Sequence, residues 1–389
     1  MTTGTSRSSG LSTLEKFREV NRTYPGTAQV RDWKQRGKRV FGWLCTYVPE
    51  EVLHAAGILP VRITGYDRET DLDDGNAYLY TNSCSFSRSC LQMGLAGEYD
   101  FLDGVVGAST CDGARRLFDV WRSYIGTPFH HVVSVPRKYS QEAVLLYRRE
   151  VVRFQQHLEE FLGAEVPDEA LRASIELYNE SRRLLHALYE FRMKDNPPVT
   201  GAEVMEVSNA SYRMPKELFN AWLKELLDEL AASKVAHTYR ARLMVVGSVL
   251  TNPEFVASIE HEGGLVVTDE LCTSTRYWGD LVYPEKFDSL QEALAHRYLN
   301  NFPCARMFPS DERFDRIVDY VRKFKVDGVV SQIIRYCVPY AHDVPLLTKR
   351  LAGAGVPVLG LDLEYGTSGS GQIATRVQAF LEMIEARRK

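Results

Sequence analysis

The stretch F-L-D-G-V-V-G-A-S-T-C-D-G-A-R-R-L, residues 101–117, decides the reading of this chain. Its first half is a short apolar run bounded by small residues, the mark of a buried strand. A polar turn follows at Ser109-Thr110. Then D-G-A-R-R-L-F-D-V-W-R-S-Y-I-G reads as a helix, with Asp112 a possible N-cap. The same rhythm lies upstream. K-R-V-F-G-W-L is strand-like. Pro49 and Glu50-Glu51 then open a helix, with proline at a first-turn position and acids at the positive end of the dipole. Gly57 closes that helix, and I-L-P-V-R-I-T returns as a strand. Strand, helix and strand in succession predict a parallel sheet covered by helices.

Working outward, residues 140–238 change character. Q-E-A-V-L-L-Y-R-R-E-V-V-R-F-Q-Q-H-L-E-E-F-L and D-E-A-L-R-A-S-I-E-L-Y-N-E-S-R-R-L-L-H-A-L-Y-E-F carry apolar residues at helical spacing, with Asp168 a plausible N-cap. N-P-P-V-T-G interrupts, and a further helix runs from about Pro215 to Ala236. From Arg240 the strand–helix rhythm resumes, in A-R-L-M-V-V-G-S-V-L, G-L-V-V-T-D, D-G-V-V-S-Q-I-I and V-P-V-L-G-L-D, and a last helix, I-A-T-R-V-Q-A-F-L-E-M-I-E-A-R-R, ends the chain. The expected fold is α/β: two doubly wound, flavodoxin- or Rossmann-like parallel-sheet domains joined by a helical connector. The expected divisions are an N-terminal lead and helix at 1–37, a first α/β domain at 38–139, the connector at 140–238 and a second α/β domain at 239–389. No short repeat stands out.

Of the 389 residues, 44% are hydrophobic and 25% charged, an ordinary balance for a soluble globular protein. A net charge of −4 gives no polycation face for nucleic acid or a membrane surface. No apolar run approaches the roughly 18 residues that span a bilayer. The polar start, M-T-T-G-T-S-R-S-S-G, lacks the apolar core of a signal peptide, and a cytoplasmic protein is expected.

The seven cysteines are scattered: Cys45, Cys84, Cys90, Cys111, Cys272, Cys304 and Cys337. In a reducing compartment they are buried thiols, a nucleophile or metal ligands. Cys84 follows the strand-like A-Y-L-Y-T-N. Cys111 follows the strand described above. Cys337 follows G-V-V-S-Q-I-I, with Pro339 expected to block a helix at once. Cys45 and Cys272 also trail strands. Ligands in doubly wound sheets bind beyond the carboxyl ends of the strands, where cysteines from both domains could converge. Thiolates gathered from distant segments suit a soft metal or an iron–sulfur cluster. Cysteine is also a common core residue, and that alternative stays open. It fits Cys90 well: if Ser85 caps a helix, Phe86, Cys90 and Met93 share one face.

Other signals are fewer. G-x-x-x-x-G-K-[ST], G-x-G-x-x-G and G-x-S-x-G are all absent, so no ordinary P-loop, nicotinamide site or hydrolase elbow is expected. His130-His131 reads as a surface or supporting pair, and His54 as a packed or solvated helix residue. Glu50 and Glu51 are most simply dipole partners, although Glu51 lies near Cys45 and Tyr47. The loop Y-G-T-S-G-S-G-Q, with Gly369, Gly371 and Gln372, precedes the last helix and either receives an anion or serves as a flexible turn.

In order along the chain stand G-W-L-C-T-Y-V-P-E-E-V-L-H-A-A-G-I-L-P-V-R, T-N-S-C, S-T-C-D-G-A-R-R-L, D-E-L-C-T-S-T-R-Y, D-G-V-V-S-Q-I-I-R-Y-C-V-P-Y and G-Q-I-A-T-R-V-Q-A-F-L-E-M-I. Together, from about residue 38 to the C-terminus, they resemble the 2-hydroxyacyl-CoA dehydratase and benzoyl-CoA reductase family. The resemblance implies an oxygen-sensitive enzyme subunit with a [4Fe-4S] cluster on three cysteines, here Cys84, Cys111 and Cys337. It implies a homologous second subunit and a separate ATP-hydrolysing iron–sulfur activator, which agrees with the missing P-loop. One electron then enters an acyl-CoA thioester. In the dehydratases a ketyl radical forms and the 2-hydroxyl leaves; in the reductases the electrons enter an aromatic ring.

A benzoyl-CoA-reductase-type catalytic subunit is expected. The alternatives are a 2-hydroxyacyl-CoA dehydratase subunit, a non-catalytic acyl-CoA-binding partner, and a stand-alone homodimeric reductase with a double-cubane cluster. That last branch uses more cysteines of one chain, and Cys45, Cys272 and Cys304 also fall in family segments. Against it, N-F-P-C-A-R-M-F-P-S has one cysteine where that branch has C-x-C. Tyr47 and Glu51 are expected to handle protons or touch the thioester, and Ser83 and Thr110 to donate hydrogen bonds to cluster sulfurs.

Overall fold

The structure, a computed structural model, describes residues 10–368 and 371–388. Four parallel strands, β1 (Val40–Leu44), β2 (Leu59–Arg62), β3 (Gly104–Ala108) and β4 (Phe129–Val133), form one sheet in the order β2-β1-β3-β4. Four more, β5 (Ala241–Gly247), β6 (Gly264–Glu270), β7 (Gly328–Ile334) and β8 (Val358–Leu363), form a second in the order β6-β5-β7-β8. Both sheets are therefore wound alike: the chain steps outward once, then reverses past its first strand. This is the flavodoxin-like order, with a switch point between the first and third strands. The two halves repeat in connectivity, which is why no short sequence repeat announces them.

The strands pair because their side chains are covered on both faces. Every residue of β1, β3, β5 and β6 is buried, as parallel sheets require. Helices Gln141–Leu162, Asp168–Met193, Gly201–Ala210 and Lys216–Ala232 connect the sheets. Ser140 accepts from the Ala143 N–H at the first start, and a Thr200–Glu203 capping box opens the third. Their apolar faces enter one continuous core with Phe41, Trp43 and Val106 of the first sheet and Met244, Val246 and Val329 of the second. The connector thus packs the two sheets together.

Some local expectations change. Residues 77–82 do not form a strand before Cys84: helix Asp73–Tyr78 occupies the start of that segment and a turn the rest, because Asp73 and Asp74 favour a helix start. Pro339 does not stop a helix. It sits in the first turn of helix Val338–Gly353, where its missing N–H is no loss. Asp112 and Asp168 are first helical residues, and the N-caps are Cys111 and Pro167. Strand β4 is unannounced because His130-His131 splits its apolar run, yet His131 is buried against Phe154.

At Gly247 the backbone is left-handed, with φ +134°, and a Cβ would lie 1.8 Å from the Gln332 carbonyl oxygen of β7. Gly247→Ala is expected to cost at least about 2 kcal/mol in denaturant unfolding, by backbone strain and displacement of the central strand pair. Gly353→Ala, in a helix with open space around it, should be neutral or slightly stabilising. Equal midpoints for the two variants would contradict this packing.

Candidate metal centre

The carboxyl ends of the two sheets face one cleft, and six cysteines reach it. Cys45 follows β1 directly, in a left-handed conformation with φ +83°. Non-glycine residues rarely adopt that conformation, and such strain concentrates at functional positions. Cys272 lies two residues past β6. Cys111 and Cys337 each lie three residues past the third strand of their sheet, so they occupy equivalent places. Tyr336, with φ +64°, turns the chain immediately before Cys337. Cys304 comes from the loop after helix Leu290–Asn300.

Cys84, Cys111 and Cys337 share a further feature: each is the N-cap of a helix, namely Ser85–Leu95, Asp112–Val120 and Val338–Gly353. None of the three sulfurs completes an ordinary capping hydrogen bond. Three helix N-termini, each with spare N–H groups and a positive dipole end, thus bear a sulfur, and such an environment favours thiolate. Gly113 makes the close approach possible. A Cβ there would stand 2.8 Å from Ser87 Oγ and 3.5 Å from Cys84 Sγ.

Burial raises the Cys111 thiol above its ordinary range, and Cys84, Cys45 and Cys337 add to the rise, while the Ala114 N–H opposes it. Burial pushes Cys337 up to about 12 against the pull of the Ser248 hydroxyl, and Cys84 and Cys304 contribute. Cys45 is raised by burial, opposed by the Thr110 side chain, and raised again by Cys304 and Cys272. The six thiols are one electrostatic set, and their joint ionisation needs positive charge among them. Arg62 supplies some: its Nη2 donates to Cys272 Sγ at 3.2 Å. Arg276 is paired first with Glu270, at 2.9 Å, and feels Cys304 and Cys272 less. Among the described residues no three His, Cys, Asp or Glu side chains form a site for a single ion. A cluster spreads its thiolates over separate irons, and an all-sulfur set drawn from six segments fits that demand. Cys90 also feels Cys84, but it is fully buried in the core beside the first sheet.

The other expected site residues divide. Tyr47 belongs to the cleft: its ring is buried, the Cys304 N–H donates to its hydroxyl at 3.4 Å, and the Arg306 guanidinium lies 5.4 Å from its ring centre. Burial and Cys304 keep its phenol protonated. Glu51 is fully buried and committed to Arg182 at 2.5 Å and to the Tyr298 hydroxyl at 2.7 Å. Near Cys84 the hydroxyl is Ser87, at 3.4 Å, while Ser83 offers its carbonyl to Arg88. Of the glycine-rich loop, Gly369 lies outside the described residues, Gly371 opens helix Gly371–Arg388, and Gln372 is exposed. The loop's first residue, Tyr365, donates its N–H to Ser85 Oγ at 2.8 Å, at the start of the Cys84 helix. His54 bonds Ser174 and Glu217 instead of the cysteines, and His131 pairs with His157. Arg62, Arg276, Ser87 and Ser248 had no sequence signal of their own, since each gains its role only across a long gap in the chain.

Residues 45–384 match the family model for 2-hydroxyglutaryl-CoA dehydratase, D-component. The chain belongs to this family. It is 29% identical to a protein named as a dehydratase subunit, YjiM, of Escherichia coli (strain K12), over 95% of this chain and 97% of that one. It is 26% identical to a benzoyl-CoA reductase subunit of Thauera aromatica, over 92% and 94% respectively. It is 25% identical to the (R)-phenyllactyl-CoA dehydratase beta subunit of Clostridium sporogenes, over 91% and 94%. Family membership makes the chain's function enzyme-related.

The Glu51 pair yields a pH prediction. Burial alone would raise this carboxyl, but Arg182, Arg297 and the Tyr298 hydroxyl outweigh it and hold the group below the ordinary glutamate range. Its contribution is therefore full above the unfolded value of about 4.3 and is lost as pH falls through the lower folded value. Glu51→Gln should cost about 3 kcal/mol at pH 7 in denaturant unfolding, because it leaves Arg182 buried without its partner. The gap to wild type should close only below about pH 4. Equal stability at pH 7 would contradict the assignment.

Proposed function

We propose that this chain is an iron–sulfur reductase that holds its cluster in the cleft between the two sheets on six thiolates: Cys45, Cys84, Cys111, Cys272, Cys304 and Cys337. One observation carries the reading: six half-buried cysteines come from six separate segments, four of them within three residues of a strand's carboxyl end, while Cys90 alone is fully buried. A single cubane on three cysteines would leave three of them without a task. The double-cubane reductase is thereby favoured, although residues 301–310 offer only Cys304 where C-x-C marks that branch. Bound there, such a cluster would supply single electrons at low potential.

The chain's own residues have definable parts. Three helix N-termini favour negative charge at Cys84, Cys111 and Cys337. Arg62 offsets charge near Cys272. Ser87, Thr110 and Ser248 present hydroxyls to Cys84, Cys45 and Cys337, the kind of outer contact that tunes a metal ligand. Tyr47, protonated and buried beside Cys304, is positioned to hold a proton for a reduced substrate. Electrons come from a separate ATP-hydrolysing activator, consistent with the missing P-loop.

A second reading is favoured by the common N-cap position of Cys84, Cys111 and Cys337 and by the names of two relatives, one from a benzoyl-CoA reductase and one from an (R)-phenyllactyl-CoA dehydratase. Here the trio alone holds one [4Fe-4S] cluster, the substrate is an acyl-CoA thioester, and the enzyme is completed by a second, homologous chain.

Anaerobic isolation with iron and sulfide analysis separates the two. About eight irons per chain, two cubanes' worth, are expected, with iron reduced by alanine at any of the six cysteines and unchanged in Cys90→Ala. About four irons, sensitive only to Cys84, Cys111 and Cys337, would establish the second reading instead. A chain that takes up no iron overturns both.

A further inference from the structure

We propose that Arg62 is a positioning residue of the centre: its guanidinium fixes the Cys272 sulfur and holds against it a positive charge that no carboxylate among the described residues neutralises, raising the potential at which the centre accepts an electron. The inference rests on the reading of Cys272 as a cluster ligand.

Arg62 ends β2 in the first sheet, yet its side chain crosses to the segment after β6 in the second half. Nη1 donates to the Cys272 carbonyl at 2.6 Å and Nη2 to Cys272 Sγ at 3.2 Å, so one fork grips both ends of the same residue. The guanidinium carbon lies 5.1 Å from the Trp43 ring centre and 5.2 Å from that of Tyr212, distances at which the π faces attract a cation. The backbone is tied as well. The Arg62 N–H donates to the Tyr212 carbonyl at 3.0 Å, and the Tyr24 hydroxyl donates to the Arg62 carbonyl. The fork thus starts from a rigid base.

Its charge has a sulfur, and no carboxylate among the described residues, beside it. Arg182, Arg192, Arg213, Arg276 and Arg313 are also buried, and each has a carboxylate within ion-pair distance; Arg242 and Arg297 are buried without one among the described residues, and their guanidinium groups donate to backbone carbonyls instead. Arg62 is 2% exposed and has no carboxylate partner among the described residues, and its Nε has no acceptor. Arg62 differs from Arg242 and Arg297 in that one of its donors meets a sulfur, and a thiolate there would compensate the buried charge. Cys272 is the group in contact that can carry the negative charge. A cation held there favours whichever state of the centre is more negative, which is the reduced one.

Wild type, Arg62→Gln and Arg62→Lys are prepared anaerobically, checked by circular dichroism and assayed for iron, and their midpoints are read by EPR-monitored redox titration. Arg62→Gln should keep iron but titrate lower, by about a tenfold change in the reduced-to-oxidised ratio, or about 59 mV for one electron. Arg62→Lys, which keeps the charge, should stay near wild type. A loaded Arg62→Gln with the wild-type midpoint overturns the proposal, as does a Lys variant displaced as far as the Gln variant. If Arg62→Gln folds but binds no iron, a loaded Lys variant supports the role of the charge, and an iron-free Lys variant overturns it. If Arg62→Gln does not fold, the Lys variant decides by its midpoint: unchanged supports, displaced overturns. Failure of the cluster reading looks different, because then wild type takes up no iron or Cys272→Ala loses none.

Discussion

The two sheets present their carboxyl edges to one cleft, and the rest of the molecule is organised to keep them there. A parallel sheet gathers the ends of its strands on one side, and a doubly wound order opens a crevice where the winding reverses. Here that happens twice with the same order, β2-β1-β3-β4 and β6-β5-β7-β8. Residues at the same step of each half therefore meet across the gap. Cys111 and Cys337 are the clearest pair, each three residues beyond a third strand and each capping the next helix. Direct ties span the cleft. Arg62 reaches Cys272, Arg306 donates to the Thr110 carbonyl, and the Cys304 N–H meets Tyr47.

Behind the cysteines the packing is stiff. Glu270, the last residue of β6, is fully buried between Arg276 at 2.9 Å and Arg313 at 2.7 Å, and Arg313 also pairs with Asp343. These contacts bracket the segment that carries Cys272 and tie it to helix Val338–Gly353, which Cys337 caps. Buried ion pairs of this kind are poor evidence for net stability, but removing one partner is costly, so they hold geometry. On the other side Glu51, Arg182 and Tyr298 join helix Glu50–Ala55 to helices Asp168–Met193 and Leu290–Asn300. Glu51 thus braces the chain a few residues past Cys45.

The sequence was most legible where side-chain periodicity alone decides structure. Phe101–Leu117 reads as strand, turn and helix because five small or apolar residues in a row can only be buried there, and that one unit implies the parallel sheet. The placement of Cys45, Cys111, Cys272 and Cys337 after strands was legible for the same reason, whereas Cys84 follows a helix and a turn. Features that depend on distant chain were not. β4 was hidden because His130 and His131 look polar until Phe154 and His157 come to cover His131, and Phe118 packs against His130. The N-cap role of three cysteines was missed because aspartate and serine are stronger capping residues and stand next to Cys111 and Cys84. The positive charge beside Cys272 could not be read at all, since Arg62 lies more than 200 positions earlier and looks like an ordinary strand end.

Convergence of the six thiols on one cluster is tested most directly by anomalous diffraction at the iron edge, from crystals grown without oxygen. Iron peaks should lie between the sheets, bounded by Cys45, Cys84, Cys111, Cys272, Cys304 and Cys337, with Cys90 outside. Peaks that touch only Cys84, Cys111 and Cys337 would contradict the six-thiolate assignment, and iron bound away from the cleft would contradict the site itself.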